Sequence, residues 1–172
     1  MRFKIAGDYR VSVEEFWTEV FFVPGFIDAL HRDGLKYDRF EVIEETLEDD
    51  GARSRILLAY PTLEIPRGLR AVLGKDIHYR EQGTFDPKTK IWHSETALPR
   101  LGDKLQVKSQ MYFTDTIEGH CVRTVEFDIQ VRLFGIGRLL ERFLKRTLTD
   151  AYEDARLFTN AWTDENMRAG RD

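Results

Sequence analysis

Apolar and polar positions follow a period of two over most of the chain up to Leu133, and then the period changes. Phe3, Ile5 and Tyr9 alternate as a first strand. Tyr37 to Leu47 and Arg53 to Tyr60 read as two strands joined at Asp49-Asp50-Gly51, where Asp-Gly tolerates a positive φ. Asp76 to Phe85 and Ile91 to Leu98 form the next pair, turning at Asp86-Pro87-Lys88-Thr89. The alternation is cleanest in the last pair, Lys104 to Thr114 and Cys121 to Leu133, which turns at Glu118-Gly119. Leu105, Val107, Ser109, Met111 and Phe113 share one face of its first strand. Cys121, Arg123, Val125, Phe127, Ile129, Val131 and Leu133 share one face of its second, and the intervening polar residues meet water.

Helix signals interrupt and close this series. Ser12 and Glu15 are spaced as a capping box, with Val11 and Phe16 as its hydrophobic staple. That helix runs through Trp17, Val20 and Phe21 to Pro24-Gly25, and a second short one covers Phe26 to His31, closed by Gly34. Pro66 starts a two-turn helix with Leu69, Val72 and Leu73 on one face and Gly74 after its end. From Ile136 to about Trp162 apolar residues recur at spacings of three and four. A helix of that span is on the order of 40 Å long at 1.5 Å per residue, so it must lie across a whole sheet.

The 172 residues suit one core, taken as a single domain over 1–166 with 167–172 as a frayed tail. Twelve Phe, six Tyr and three Trp favour a large core or a lined cavity. A net charge of -4 argues against a nucleic-acid partner, whose phosphates call for a basic surface. The single cysteine, Cys121, allows no internal disulfide and fits a reducing cytoplasm. The first residues alternate rather than forming an apolar leader, and no stretch has the roughly 18 apolar residues of a membrane span.

The order of elements is strand, two short helices, six antiparallel strands and a long C-terminal helix. With the capped Ser12-Val13-Glu14-Glu15-Phe16-Trp17 helix, the break at Pro24-Gly25-Phe26 and the Leu133-Phe134-Gly135-Ile136-Gly137 entry to the last helix, it resembles the START-like, Bet v 1-like superfamily. The resemblance covers about residues 1 to 164 and is closest to uncharacterised bacterial members. It implies the helix-grip α+β fold, a seven-stranded antiparallel sheet curved around the C-terminal helix. It also implies a cavity between sheet and helix for a lipid, sterol or polyketide-like molecule. The plant members' glycine-rich loop between the second and third strands is replaced here by Asp49-Asp50-Gly51-Ala52, so that loop's role does not transfer.

No catalytic or cofactor motif is written in the chain. Gly135 and Gly137 open a helix as a dinucleotide fingerprint would, but the third glycine is missing, and a strand-to-helix corner accounts for them. His31, His78, His93 and His120 lack ligand spacing and read as surface or rim residues. If Phe85 pairs near Lys90, His78 falls opposite Ala97, far from His93. Cys121 reads as a buried structural thiol. Glu44, Glu45, Glu48, Asp49 and Asp50 read as a solvated hairpin tip. Arg123 is the one charged residue on its strand's apolar face, roughly opposite Phe113. It either reaches water at the sheet's end or anchors a ligand's carboxylate or carbonyl, since arginine offers a fork of donors. Arg138, Arg142, Lys145 and Arg146 flank the last helix's apolar stripe. They read as a solvated face, or, with Arg67 and Arg70, as a contact for anionic lipid headgroups.

The expected ligand wall comprises Tyr79, Trp92, Ser109, Met111, Phe113, Arg123, Val125 and Phe127 from the sheet. Phe143, Leu148 and Tyr152 join it from the helix, and Leu69 and Leu73 close its mouth. Ser109, small among large neighbours, leaves room. The same residues would also serve a solid core. Three functional classes follow: a carrier or sensor of an apolar molecule, an enzyme of the cyclase or dehydratase type acting on one, and a protein-interaction module. Oligomeric state is not legible.

Overall fold

In the computed structural model, which describes residues 1–168, the chain is a seven-stranded antiparallel sheet with a long helix laid across one face. The strands are β1 (Arg2–Tyr9), β2 (Arg39–Leu47), β3 (Arg53–Tyr60), β4 (Tyr79–Asp86), β5 (Ile91–Ala97), β6 (Leu105–Asp115) and β7 (Cys121–Val131). Their order across the sheet is β1-β7-β6-β5-β4-β3-β2. β2 to β7 are a plain meander, and β1 closes against β7, pairing Phe3 with Phe127 and Ile5 with Val125. Since β1 and β2 are opposite edges, the residues between them must cross the sheet.

Two short helical segments make that crossing. α1 (Val13–Glu15) opens with the expected capping box: the Glu15 amide donates to Ser12 Oγ at 3.2 Å, and the Ser12 amide donates to Glu15 Oε2 at 2.9 Å. The helix expected through Phe21 then widens into a π turn over Phe16–Phe21. α2 (Phe26–Ala29) widens likewise over Leu30–Gly34. A π turn closes its hydrogen bonds at i+5, which alters where successive side chains emerge. Here it lets Phe16, Trp17, Phe21 and Phe22 all join one ring cluster.

α3 (Arg67–Leu73) follows Pro66 and ends at Gly74, whose φ of 82° is the left-handed conformation glycine adopts without strain. α4 (Gly137–Thr163) is the long helix, and a π turn continues it over Asp164–Arg168. Met167, expected in a frayed tail, packs against the core, while 169–172 lie outside the described residues.

The β4–β5 hairpin differs from expectation by two residues. Asp86 pairs with Ile91, and Arg80 lies opposite Ala97, because the Asp86 carboxylate accepts from the Lys88 amide and the Thr89 hydroxyl and Lys90 takes φ 55°. The turn therefore closes four residues after Asp86. The β6–β7 register places Phe113 opposite Arg123, as expected.

Candidate functional site

Between the inner sheet face and α4 lies a cavity of about 200 Å³. An apolar cavity of about 150 Å³ is enough to hold benzene, so this space suits a compact ring-sized molecule. Its floor is the sheet, its roof is α4 through Phe143, Leu148, Ala151 and Tyr152, and its rim includes Leu30, Leu35, Leu63 and Leu73.

Ten of the thirteen expected residues face this space: Leu73, Tyr79, Trp92, Ser109, Met111, Arg123, Phe127, Phe143, Leu148 and Tyr152. Leu69, Phe113 and Val125 do not. Leu69 is fully buried one turn before Leu73 and seals α3 to the core instead of closing a mouth. Phe113 packs on Phe16 with ring centroids 4.1 Å apart, and also on Tyr9 and Trp17. Val125 lies between Ile5 and Met111 in the sheet and has no exposed surface.

Cross-strand pairing explains the wall. Arg55, Gly83, Ser94 and Ser109 stand side by side on β3, β4, β5 and β6. Leu57, Glu81, Thr96 and Val107 form the adjacent row. Paired residues share a face, so a polar patch sits at the middle of an otherwise apolar surface. Within it the Ser94 and Ser109 hydroxyls are 2.8 Å apart and satisfy each other. Gly83 is required by contact: a Cβ there would lie 1.9 Å from Trp92 Cζ2, because the indole lies flat over it.

Arg55 and Glu81 are the charged residues of this patch, and neither was expected in the wall. Arg55 is 3% exposed; its guanidinium donates to Glu45 Oε1 at 3.1 Å and to the Phe21 carbonyl at 3.4 Å. Its Nε is buried with no hydrogen-bond partner. Glu45 is thus the half-exposed counterion of a buried arginine rather than part of a merely solvated hairpin tip. A bulge between Val42 and Glu44 sets it directly opposite Arg55. Glu81 faces the cavity, and burial raises its carboxyl to about 7, against the opposing pull of Arg55 and Thr96. The signal for Glu81 was its place two residues after Tyr79 on the same strand face. For Arg55 it was weaker, since Ile56 and Leu58 make the other phase of β3 equally apolar.

Arg123 points inward and does not reach water: it is 7% exposed and donates to the Tyr152 carbonyl at 2.9 Å. Its guanidinium lies 4.8 Å from the Tyr9 ring centroid and 4.6 Å from that of Tyr152. Those contacts satisfy a buried cation and tie β7 to α4. The Tyr79 hydroxyl donates to Tyr37 Oη at 3.4 Å, and burial drives both phenols above their usual range.

Of the four histidines expected at the surface or a rim, His31 lines the cavity and is buried. It is 6% exposed, stacked on Phe40 at 3.8 Å, with Nδ1 2.8 Å from the Ile27 carbonyl. Burial lowers its pKa to about 4, which keeps the ring neutral. The Cys121 thiol is buried and pushed up to about 12, first by burial and then by Asp115, so it is no nucleophile at neutral pH. Among the described residues no three His, Cys, Asp or Glu side chains converge on a point that would hold a metal, and no helix is long and apolar enough to cross a membrane.

Solved structures share this architecture. A norcoclaurine synthase from Thalictrum flavum, solved with dopamine and hydroxybenzaldehyde, matches 96% of this chain and 87% of its own at 16% identity and a TM-score of 0.67. The Zhui aromatase/cyclase from a Streptomyces species matches 99% and 98% at 12% identity and a TM-score of 0.64. A START superfamily protein from Mycobacterium smegmatis matches 94% and 99% at 12% identity and a TM-score of 0.63. The fold is therefore the START-like, Bet v 1-like helix grip. No curated protein matches by sequence. A family profile does match, over residues 6–163, and by that match the chain belongs to the family described as protein of unknown function DUF2505.

Proposed function

We propose that this protein binds a compact, largely apolar molecule between its sheet and α4, as a carrier or sensor. The observation that carries this reading is the cavity itself, a space of about 200 Å³ left unfilled in a chain otherwise rich in large side chains. Close packing is the default of protein interiors, so a gap of this size under a long helix calls for an occupant. The lining supports the same reading: it is mostly aliphatic and aromatic, with a few polar groups gathered in one patch, the usual make-up of a small-molecule site. The likeness to proteins solved with small aromatic molecules, such as the synthase with dopamine and hydroxybenzaldehyde, is consistent with it.

An acidic group held near neutral pH beside an arginine also favours a second reading, an enzyme of the cyclase or dehydratase type. Glu81 would exchange the proton in that reading, and Arg55 would take the carbonyl-anchoring role first considered for Arg123.

The binding reading is tested by native mass spectrometry and organic extraction of freshly purified protein, then equilibrium dialysis against 2-ethylnaphthalene. A stoichiometric apolar molecule in the extract, or saturable one-to-one uptake of the naphthalene, is the expected result. Protein that arrives empty and takes up none would overturn it.

A further inference from the structure

We propose that Arg55 and Glu81 form a two-donor subsite for a carbonyl oxygen, so that the preferred occupant is a compact apolar ketone or ester rather than a hydrocarbon or an amine. This rests on the cavity being a ligand site, as proposed above.

Both side chains reach the cavity from neighbouring strands, Arg55 on β3 and Glu81 on β4, and their register sets them diagonally, with Leu57 opposite Glu81 and Gly83 opposite Arg55. They form no direct ion pair: Arg55 pairs instead with Glu45, at the edge of the site. Arg55 still has donors to give, because its bonds to Glu45 and to the Phe21 carbonyl both leave from Nη2 and its buried Nε is unpartnered. A buried donor left unmade is a cost that a ligand acceptor in reach of the guanidinium would recover. Gly83, between them in space, adds no side chain to this corner, and Trp92 lies flat over it as an apolar wall.

Charge decides what this corner accepts. Arg55 and Glu45 already cancel. An ionised Glu81 would add a negative charge that Arg55 and Thr96 offset only in part, and burial accordingly favours its protonated form. A protonated carboxyl is a donor, as is the guanidinium of Arg55, and both side chains line the same cavity. Two donors on one wall select a neutral acceptor. A cationic amine would meet Arg55 and is disfavoured, and a hydrocarbon leaves both donors unmade.

Arg123 on β7 adds a fixed positive charge to the wall, and the other wall groups that burial shifts move away from neutrality. Tyr37 beside β2, Tyr79 on β4 and Tyr152 on α4 are all raised by burial, and His31 is lowered to about 4. Ketone preference should therefore follow Glu81 alone.

The test is equilibrium dialysis of 2-acetylnaphthalene and 2-ethylnaphthalene, which differ at the carbonyl, against the native protein, Glu81→Leu and Glu81→Gln. The native protein should bind the ketone about tenfold more tightly at about pH 6, with the preference shrinking by about pH 8.5 as Glu81 ionises. Glu81→Gln, which keeps a donor, should hold the preference at both values. Glu81→Leu should lose it while binding the hydrocarbon at least as well. Equal affinities in the native protein, or a preference that Glu81→Leu leaves intact, would overturn the carbonyl subsite while leaving the binding site standing. Uptake of neither probe would overturn both.

Discussion

The interior of this protein has two ends built on the same strands, one solid and one hollow. At the solid end Tyr9, Phe16, Trp17 and Phe113 meet ring to ring, with Phe16 and Phe113 4.1 Å apart. At the hollow end the same strand β6 presents Ser109 instead of Phe113, facing Ser94 on β5 and roofed by Ala151. Phe21 and Trp92, 5.1 Å apart, contribute to the cavity wall and also contact the ring cluster. Side-chain size along one inward face thus decides where the interior is filled and where it is left open. The solid end braces the segment after α1 against the sheet, and the small residues beside it leave volume under α4.

Truncating the solid end should have the largest effect. Phe16 is 3% exposed and touches Tyr9, Trp17, Phe21 and Phe113, so Phe16→Ala is expected to cost about 3–5 kcal/mol in denaturant unfolding. A cost under about 1 kcal/mol would mean that end is not the brace.

The hollow end should respond to pH. Glu81 has its folded pKa raised to about 7 from 4.5, so the folded state holds the proton more tightly. Its contribution is fully present below pH 4.5 and is lost as pH rises through 7. Glu81→Leu should therefore gain on the native protein, by on the order of 2 kcal/mol, between those limits. His31 works in the opposite sense: lowered to about 4 from 6.5, it withdraws stability as pH falls through that window. His31→Asn, which keeps a donor for the Ile27 carbonyl, should flatten the acid limb of a thermal-melt profile.

Ser12→Ala removes the cap of α1 and should cost about 1 kcal/mol without changing uptake of an apolar probe, since that helix belongs to the solid end. Ala151→Leu should change stability least, by under about 1 kcal/mol, because the added methyls enter existing space. It should nevertheless reduce 2-ethylnaphthalene uptake in dialysis more than any of the others.

The contrast between the ends also explains what could be read from the sequence. Period-two alternation set the strands and most of the inward face, and six wall residues followed from it, including Ser109 as the source of room, while Leu73, Phe143, Leu148 and Tyr152 followed from helical spacing. Phe113 and Val125 have the same phase as Ser109 and Met111, yet they lie at or beside the solid end. Phase gives the face of a strand but not the position along it at which another element packs. Arg55 and Glu81 escaped for a different reason. Charge on a strand is ordinarily a mark of the solvent face, and only the partner across the ladder, Glu45 for Arg55, or the cavity itself, for Glu81, reverses that reading. The two-residue slip at Asp86 has a similar origin, since a side-chain cap and a left-handed Lys90 are local choices that alternation does not encode.

The claim that the hollow end is a binding site is tested most directly by intermolecular NOEs to added 2-ethylnaphthalene. The probe should show contacts to the methyls of Leu57, Leu148 and Ala151, and none to Val20 beside the ring cluster. Contacts confined to exposed Ile43, Ile117 or Phe134, or no contacts at saturating probe, would contradict it.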